Sequence, residues 1–291
     1  MRISIIIPAY NEEENIEECI KSLSEQTNRD FEIILIDDGC TDNTIEKAKN
    51  SSKKFKINIK VLKQDHQGPG KARNLGAENS QGSILIFIDA DMTFDKNYIK
   101  NLIKLLIQDK NKKIMGTTHD YEEATNTNNI WSNLWGKIRI TRKDKNPRVY
   151  SGDVKIFRAI RKQKFLELGG FDPKYGYADD QTFWFKYKIK PVLAENTICY
   201  HKNPETLEGT FKQARWIGSS WKEKYKIFRV PIINYLAVIF IFILFPFAVF
   251  YKSFNSNKKF SFRNRILFYF FKFKGYLFGA SRAVFQNKLS K

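Results

Sequence analysis

Three runs of four or five mainly isoleucine-type residues stand out in the first ninety positions: Ile3–Ile7, Ile33–Ile36 and Ile84–Ile88. Each is short enough for a buried strand, and Ile57–Leu62 reads as a further one. Between the first two, Glu13–Ser24 places Ile16, Cys19, Ile20 and Leu23 at helical spacing, which makes an amphipathic crossover helix. Cap-type residues Thr41-Asp42-Asn43-Thr44 precede a helix near Ile45–Asn50. The Gly68-Pro69-Gly70 turn leads into a helix over Lys71–Asn79, and Tyr98–Ile107 carries Leu102, Ile103, Leu105 and Leu106 as a further apolar face. Alternating strands and helices predict an α/β fold with a doubly wound sheet and right-handed crossovers. Residues 117–150 are polar and irregular around Trp131, Leu134 and Trp135. A loop of that length is expected to be an active-site lid, an acceptor-side loop or a poorly ordered insertion.

The three apolar runs end in polar, mostly acidic clusters: Pro8-Ala9-Tyr10-Asn11-Glu12, Asp37-Asp38-Gly39 and Asp89-Ala90-Asp91. Strand ends of an open parallel sheet share one edge, so this edge is where the chemistry is expected. Asp89 and Asp91, one residue apart, can aim two carboxylates at one hard cation such as Mg²⁺ or Mn²⁺, which would bridge them to a diphosphate. An isolated Asp-x-Asp serves equally well as a solvated turn or a helix cap.

Charge divides the 291 residues unevenly. Of the +19 total, +13 falls on residues 216–291, where Glu223 is the single acid, and +6 on residues 1–215. That tail brackets an uncharged run, Val230–Tyr251, which at ~1.5 Å per residue reaches about 33 Å, the hydrocarbon thickness of a bilayer. We expect a membrane anchor in segment 230–251, either a single span or a re-entrant hairpin, since lysines and arginines flank it on both sides. Pro231 suits a helix start, and Pro246 is expected to kink or break the helix. Ile266–Phe285, interrupted by Lys272, Lys274 and Arg282, reads as an interfacial amphipathic helix or a short second span. No secretory signal pattern is visible at the start, so the catalytic part is expected on the cytoplasmic side. A nucleic-acid-binding protein would carry its basic residues, interleaved with aromatics, on the folded domain, whereas here the strand ends are acidic. Cys19, Cys40 and Cys199 are unclustered, without metal-ligand spacing, and are expected to be reduced thiols.

The ordered set of Pro8–Glu12, Asp37-Asp38-Gly39-Cys40-Thr41-Asp42, Gly68-Pro69-Gly70-Lys71-Ala72-Arg73-Asn74 and Asp89-Ala90-Asp91 resembles the inverting family 2 glycosyltransferases. The likeness continues through Gly169-Gly170-Phe171-Asp172 to Asp179-Asp180-Gln181-Thr182-Phe183-Trp184. It implies a GT-A (Rossmann-like) fold, with a mostly parallel sheet flanked by helices, over residues 1–215. Residues 1–110 would then form the nucleotide-sugar half and 111–215 the acceptor half, with 216–291 as a basic membrane-associating region of hydrophobic and amphipathic helices. The resemblance implies a UDP- or GDP-sugar donor held by Pro8, Ala9, Tyr10, Glu12, Asp37, Asp38, Arg73, Asp89 and Ala90. It also implies a divalent cation, Mg²⁺ or Mn²⁺, on Asp91 and Asp89.

His201, at a predicted strand end, resembles the histidine that reaches metal or diphosphate in several such enzymes, though a lone histidine is more often a packed or surface residue. Asp179 and Asp180 stand where the family has Glu-Asp, which points to Asp180 as general base, while a register shift of one would assign Asp179. Gln213-Ala214-Arg215-Trp216 is similar to the Gln-x-x-Arg-Trp motif of polysaccharide synthases but one residue shorter, and reads equally as a basic interfacial helix. The expected acceptor is a hydroxyl of a lipid-linked or polymeric glycan, with membrane lipids as a further partner. The competing reading is a polyprenyl-phosphate glycosyltransferase of the dolichyl-phosphate-mannose-synthase type. Its acceptor is already ionised, so it would not need the Asp179-Asp180 pair.

Overall fold

The protein is described by a computed structural model over residues 2–136, 138–140, 154–220, 231–256 and 258–285. Contacts divide the chain into two compact units. The first comprises Met1–Glu123, Ile138–Pro173 and Asp180–His201; the second comprises Ala124–Lys137, Lys174–Asp179 and Lys202–Lys291.

In the first unit, β1 (Ile3–Ala9) lies between β2 (Phe31–Asp37) and β4 (Ile84–Phe87), and β3 (Ile59–Lys63) flanks β2; all three pairings are parallel. Side chains alternate between two buried layers, as a doubly covered sheet requires. One layer takes Ile3, Ile5, Ile7, Ile33, Leu35, Ile84 and Ile86 against α1 (Ile16–Ser24) and α4 (Tyr98–Gln108). The other takes Ile6, Ile34, Ile36, Leu85 and Phe87 against α3 (Pro69–Glu78) and a set of phenylalanines. The remaining crossover helix, α2, spans Thr44–Lys54.

Beyond β4 the sheet continues through β8 (Ala159–Arg161), β6 (Gly116–Ala124), β9 (Val192–His201) and β5 (Met92–Phe94), with β7 (Ile138–Ile140) on β6. The β4–β8, β6–β8, β6–β7 and β5–β9 pairings are antiparallel. The sheet is therefore mixed, not mostly parallel. Parallel neighbours need long crossovers, and the sequence supplies helices of that length only up to Gln108. The long polar loop expected over 117–150 is also corrected, because Gly116–Ala124 is strand β6 and Ile130–Trp135 is helix α5. Thr117, Thr118, His119, Asp120 and Glu122 are buried polar residues, so β6 lacks the apolar signature by which strands are recognised. Residues 141–153 of that expected loop lie outside the described residues.

Five phenylalanines lock the second layer. Phe87 sits 5.1 Å from Phe165 and 4.8 Å from Phe171, while Phe183 meets Phe157, Phe165 and Phe171 at 5.5–5.8 Å between ring centroids. Phe165 belongs to α6 (Lys162–Glu167) and Phe183 to α7 (Thr182–Tyr187).

The second unit is helical: α5, α8 (Leu207–Ser219), α9 (Pro231–Asn255) and α10 (Phe262–Phe285). Pro246 lies inside α9 and does not end it. Among the described residues no helix is long and apolar enough to cross a membrane, so the spanning reading of 230–251 finds no support there. Val230 itself lies outside the described residues. Helices α8 and α10 touch backbone to backbone: a Cβ on Gly275 would stand 2.5 Å from the Phe211 carbonyl oxygen, and Cβ atoms on Gly218 and Gly279 would overlap the carbonyl oxygens of Tyr276 and Arg215. Small residues four apart, here Gly275 and Gly279, permit such close approach. Gly279→Val should destabilise this unit by about 1–3 kcal/mol. Hydrogen exchange of α8 and α10 would then accelerate, relative to a Ser281→Ala control.

Candidate active site

The β1–β2 register sets Pro8 beside Ile36 and Ala9 beside Asp37, so the first two acidic strand ends are adjacent by construction. Asp37 Oδ1 accepts from the Cys40 amide at 2.8 Å and closes a turn in which Gly39 has φ +81°, a conformation that favours glycine. Asp38 is 1% exposed. Its Oδ1 accepts from Gln64 Nε2 (2.6 Å) and the Gln67 amide (2.9 Å), its Oδ2 accepts from the Gly68 amide (2.9 Å), and His66 Nδ1 stands 3.0 Å from Oδ2. Asp38 thus organises the 64–68 loop. The Tyr10 ring stacks on His66, with centroids 3.9 Å apart. Glu12 donates its amide to Thr44 Oγ1 (2.7 Å), and its Oε2 accepts from Asn15 Nδ2 (2.9 Å).

Asp89 follows β4 and is gripped by two arginines: Arg73 Nη2 donates to Oδ1 at 2.6 Å, and Arg158 Nη1 to Oδ2 at 3.0 Å. Burial raises the Asp89 pKa, but the Arg158 and Arg73 charges outweigh it and hold the carboxyl well below the usual carboxylate range. Asp91 is the opposite case. Withdrawal from water, then the charges of Glu12, Asp89 and Glu122, push it up to about 8. Two residues apart, one carboxylate is compensated by cations and the other is crowded by acids.

Pairing of β5 with β9 sets Met92 opposite His201, and so brings His201 to the residue after Asp91. His201 Nδ1 lies 3.1 Å from Glu122 Oε1, and His119 Nε2 lies 3.3 Å from Glu122 Oε2. Behind them, Tyr98 Oη and Cys199 Sγ stand 3.3 and 3.4 Å from His119 Nδ1. Burial pushes the Tyr98 phenol and the Cys199 thiol well up, which keeps both neutral. Among the described residues, His119, Glu122 and Cys199 form a group whose ligand atoms lie within 4.8 Å of one another.

Asp179 and Asp180 belong to the 3-10 segment Pro173–Gln181 that leads into α7; Asp179 is buried and Asp180 half-buried. Phe183 fixes the start of α7 in the phenylalanine layer, and Thr182 Oγ1 accepts from the Asp172 amide at 2.9 Å. Asn74 ties two of the sequence motifs together, donating from Nδ2 to the Phe171 carbonyl (2.7 Å) and accepting at Oδ1 from the Phe171 amide (2.9 Å). A Cβ on Gly170 would press to 2.6 Å from Asn74 Oδ1, and φ there is +65°.

Residues 4–168 match the model of Glycosyl transferase family 2, more than half of the chain. The chain belongs to that family. EpsJ of Bacillus subtilis, an uncharacterized glycosyltransferase, is 44% identical over 216 residues, which cover 70% of this chain and 62% of EpsJ. TarS of Staphylococcus aureus, a poly(ribitol-phosphate) β-N-acetylglucosaminyltransferase, is 32% identical over 103 residues, 35% of this chain and 18% of TarS. The chain thus matches less than a fifth of that relative's length. Residues 1–349 of TarS, solved with UDP, superpose with TM-score 0.51 at 17% identity, covering 99% of this chain and 92% of that one. The mannosyltransferase PcManGT of Pyrobaculum calidifontis, solved with GDP-Man and Mn²⁺, gives 0.59 at 16% identity, covering 99% and 88%. At such identities the structures establish the fold, which is the GT-A type expected from the motifs.

Of the residues singled out in the sequence, Glu12, Asp89, Asp91 and His201 lie together, with Arg73 on Asp89. Pro8, Ala9, Tyr10, Asp37 and Asp38 line the neighbouring strand ends, and Ala90 is buried between the two aspartates. Arg158, Glu122, His119 and His66 were not legible. The first three sit on or beside antiparallel strands whose pairing no local motif announces, and His66 carries no signal beyond its place before Gly68-Pro69-Gly70.

Arg158→Ala should destabilise the protein by on the order of 2 kcal/mol, less than a fully buried pair would cost, because Asp89 keeps 35% of its side-chain surface exposed. Denaturant melts of wild type, Arg158→Ala, Asp89→Asn and the double variant would show this as non-additivity.

Proposed function

We propose that this chain transfers a sugar from a UDP- or GDP-sugar to a hydroxyl of a glycan or lipid-linked acceptor, inverting the anomeric carbon, with a divalent cation at Asp91. The observation that carries the reading is the crowding of Asp91 by Glu12, Asp89 and Glu122. Oxygen donors with excess negative charge suit a hard cation, and the neighbouring His201 imidazole adds a nitrogen donor, so the residues present fit Mg²⁺ or Mn²⁺. When bound, such an ion would offset the charge that develops on the departing diphosphate. PcManGT was solved with Mn²⁺ and a nucleotide sugar, and TarS with UDP, which supports the same donor class for this chain.

The residues then take distinct parts. The Tyr10–His66 stack and the Asp38-held loop give a flat, polar-edged place for a nucleoside. Arg73 and Arg158 fix Asp89 just past the end of β4. Asp180 is assigned as the base, with Asp179 buried beside it in sequence. As the acceptor oxygen bonds to the anomeric carbon, its proton passes to the Asp180 carboxylate and the bond to the diphosphate oxygen breaks.

Asp91→Asn should abolish the Mn²⁺-dependent thermal stabilisation by UDP or GDP that wild type shows. If neither nucleotide stabilises wild type more with Mn²⁺ than without, the reading fails. Asp180→Asn should lower turnover by about 10²–10⁴-fold while retaining that stabilisation. Nucleotide release assayed with the donor and a glycan acceptor measures it, and unchanged turnover would remove Asp180 from the role.

We assign this activity to the cytoplasmic surface of a membrane. On α9, Phe247, Phe250, Tyr251 and Phe254 are 59–72% exposed, and Lys252, Lys258, Lys259 and Arg263 accompany them. Aromatic side chains beside lysines and arginines favour an anionic lipid interface. Phe247→Asp with Phe250→Asp should release the protein from vesicles containing anionic lipid in a co-sedimentation assay. Equal partitioning of variant and wild type would count against this face.

A further inference from the structure

Glu122 adds its charge at Asp91 but has been given no role of its own; it is 6% exposed and stands at the centre of a buried polar chain. One oxygen faces His201 Nδ1 at 3.1 Å and the other faces His119 Nε2 at 3.3 Å. His119 Nδ1 in turn meets the Tyr98 hydroxyl at 3.3 Å. Three elements supply these groups: α4 gives Tyr98, β6 gives His119 and Glu122, and β9 gives His201. Keeping a carboxylate in such a place is costly unless both its oxygens are used.

A neutral imidazole carries its lone pair on one nitrogen and its proton on the other. A carboxylate facing Nδ1 keeps the proton there and leaves the lone pair on Nε2, and a ligating histidine is commonly held in this way. The β5–β9 register places His201 opposite Met92, the residue after Asp91, and the charge of Glu122 reaches Asp91 as well. The Glu122–His201 contact is an ion-pair distance and not an aligned hydrogen bond. Such contacts commonly tighten only once a site is filled.

We propose that Glu122 is a positioning residue: it holds His201 with its proton on Nδ1, so that Nε2 is presented to the cation of Asp91, and His119 with Tyr98 fixes Glu122 in turn. The inference rests on the divalent-cation reading above. A separate soft-metal site on His119, Glu122 and Cys199 is the competing use of the same residues. It is disfavoured because Glu122 and Tyr98 already occupy both ring nitrogens of His119, and because burial keeps the Cys199 thiol protonated.

The test is Mn²⁺ affinity of the full chain, read by electron paramagnetic resonance of the free ion, for wild type, Glu122→Gln, His201→Ala and the double variant. Glu122→Gln should weaken Mn²⁺ binding about 10–100-fold. In the His201→Ala background the same change should alter affinity by less than about 3-fold, because the pathway through His201 is gone. An unchanged affinity in Glu122→Gln overturns the proposal. So does a loss that persists undiminished without His201, which would make Glu122 a direct ligand, or a loss reproduced by Cys199→Ser, which would mark the soft site. Wild type that binds no Mn²⁺ overturns the cation reading and this inference together; the other outcomes, with wild-type binding intact, overturn this inference alone. Should Glu122→Gln fail to fold, ¹⁵N shifts of His201 in the Mg²⁺-loaded wild type decide: a proton on Nδ1 supports the proposal and one on Nε2 overturns it.

Discussion

Like charges at the carboxyl ends of β1, β4 and β6 can coexist only if something offsets them, and the first unit meets that constraint unequally at its two aspartates. Arg73, carried by α3, and Arg158, beside β8, take one oxygen each of Asp89 and turn a partly buried anion into a fixed structural corner. At Asp91 the acids outnumber the cations, and its carboxyl is pushed up in consequence. Two arginines on one acid beside a crowded neighbour is the imbalance that the proposed cation would offset. The proposed donor chemistry follows from that imbalance.

The phenylalanine layer explains how distant motifs serve this corner. Phe87 on β4, Phe165 on α6, Phe171 in the Gly-Gly-Phe-Asp turn and Phe183 on α7 pack ring to ring within 6 Å. The Asn74 side chain spans both backbone polar groups of Phe171 and couples that turn to α3, the helix that also carries Arg73. Aromatic packing of this kind is stiff, because interiors near crystal density tolerate little displacement. The helical unit holds itself together by other means, the glycine-lined approach of α8 and α10, where backbone meets backbone without intervening side chains.

Much of the parallel half was legible in the sequence. Apolar strands ending in Pro8–Glu12, Asp37-Asp38 and Asp89-Ala90-Asp91 announced their shared edge, because strand periodicity and crossover helices are local properties of sequence. The antiparallel half was harder to read. Strand β6 carries the buried polar residues Thr117, Thr118, His119, Asp120 and Glu122, which made it resemble a loop, and its antiparallel partners carry no crossover helix to reveal their order. The short strand β5 was hidden as well, and with it the reason His201 lies opposite Met92, the residue after Asp91.

By itself, then, the sequence determined the family, the parallel half of the sheet, the adjacency of the acidic strand ends and the basic, aromatic character of the tail. All of these rest on periodicity, spacing and composition within a few tens of residues. Only the tertiary structure decided which aspartate is clamped and which is crowded, since Arg158 reaches Asp89 across 69 positions. It also decided that Glu122 stands between two histidines and that His66 lies under Tyr10. Those facts depend on which strands become neighbours, and long-range pairing is settled by the packing of the whole core.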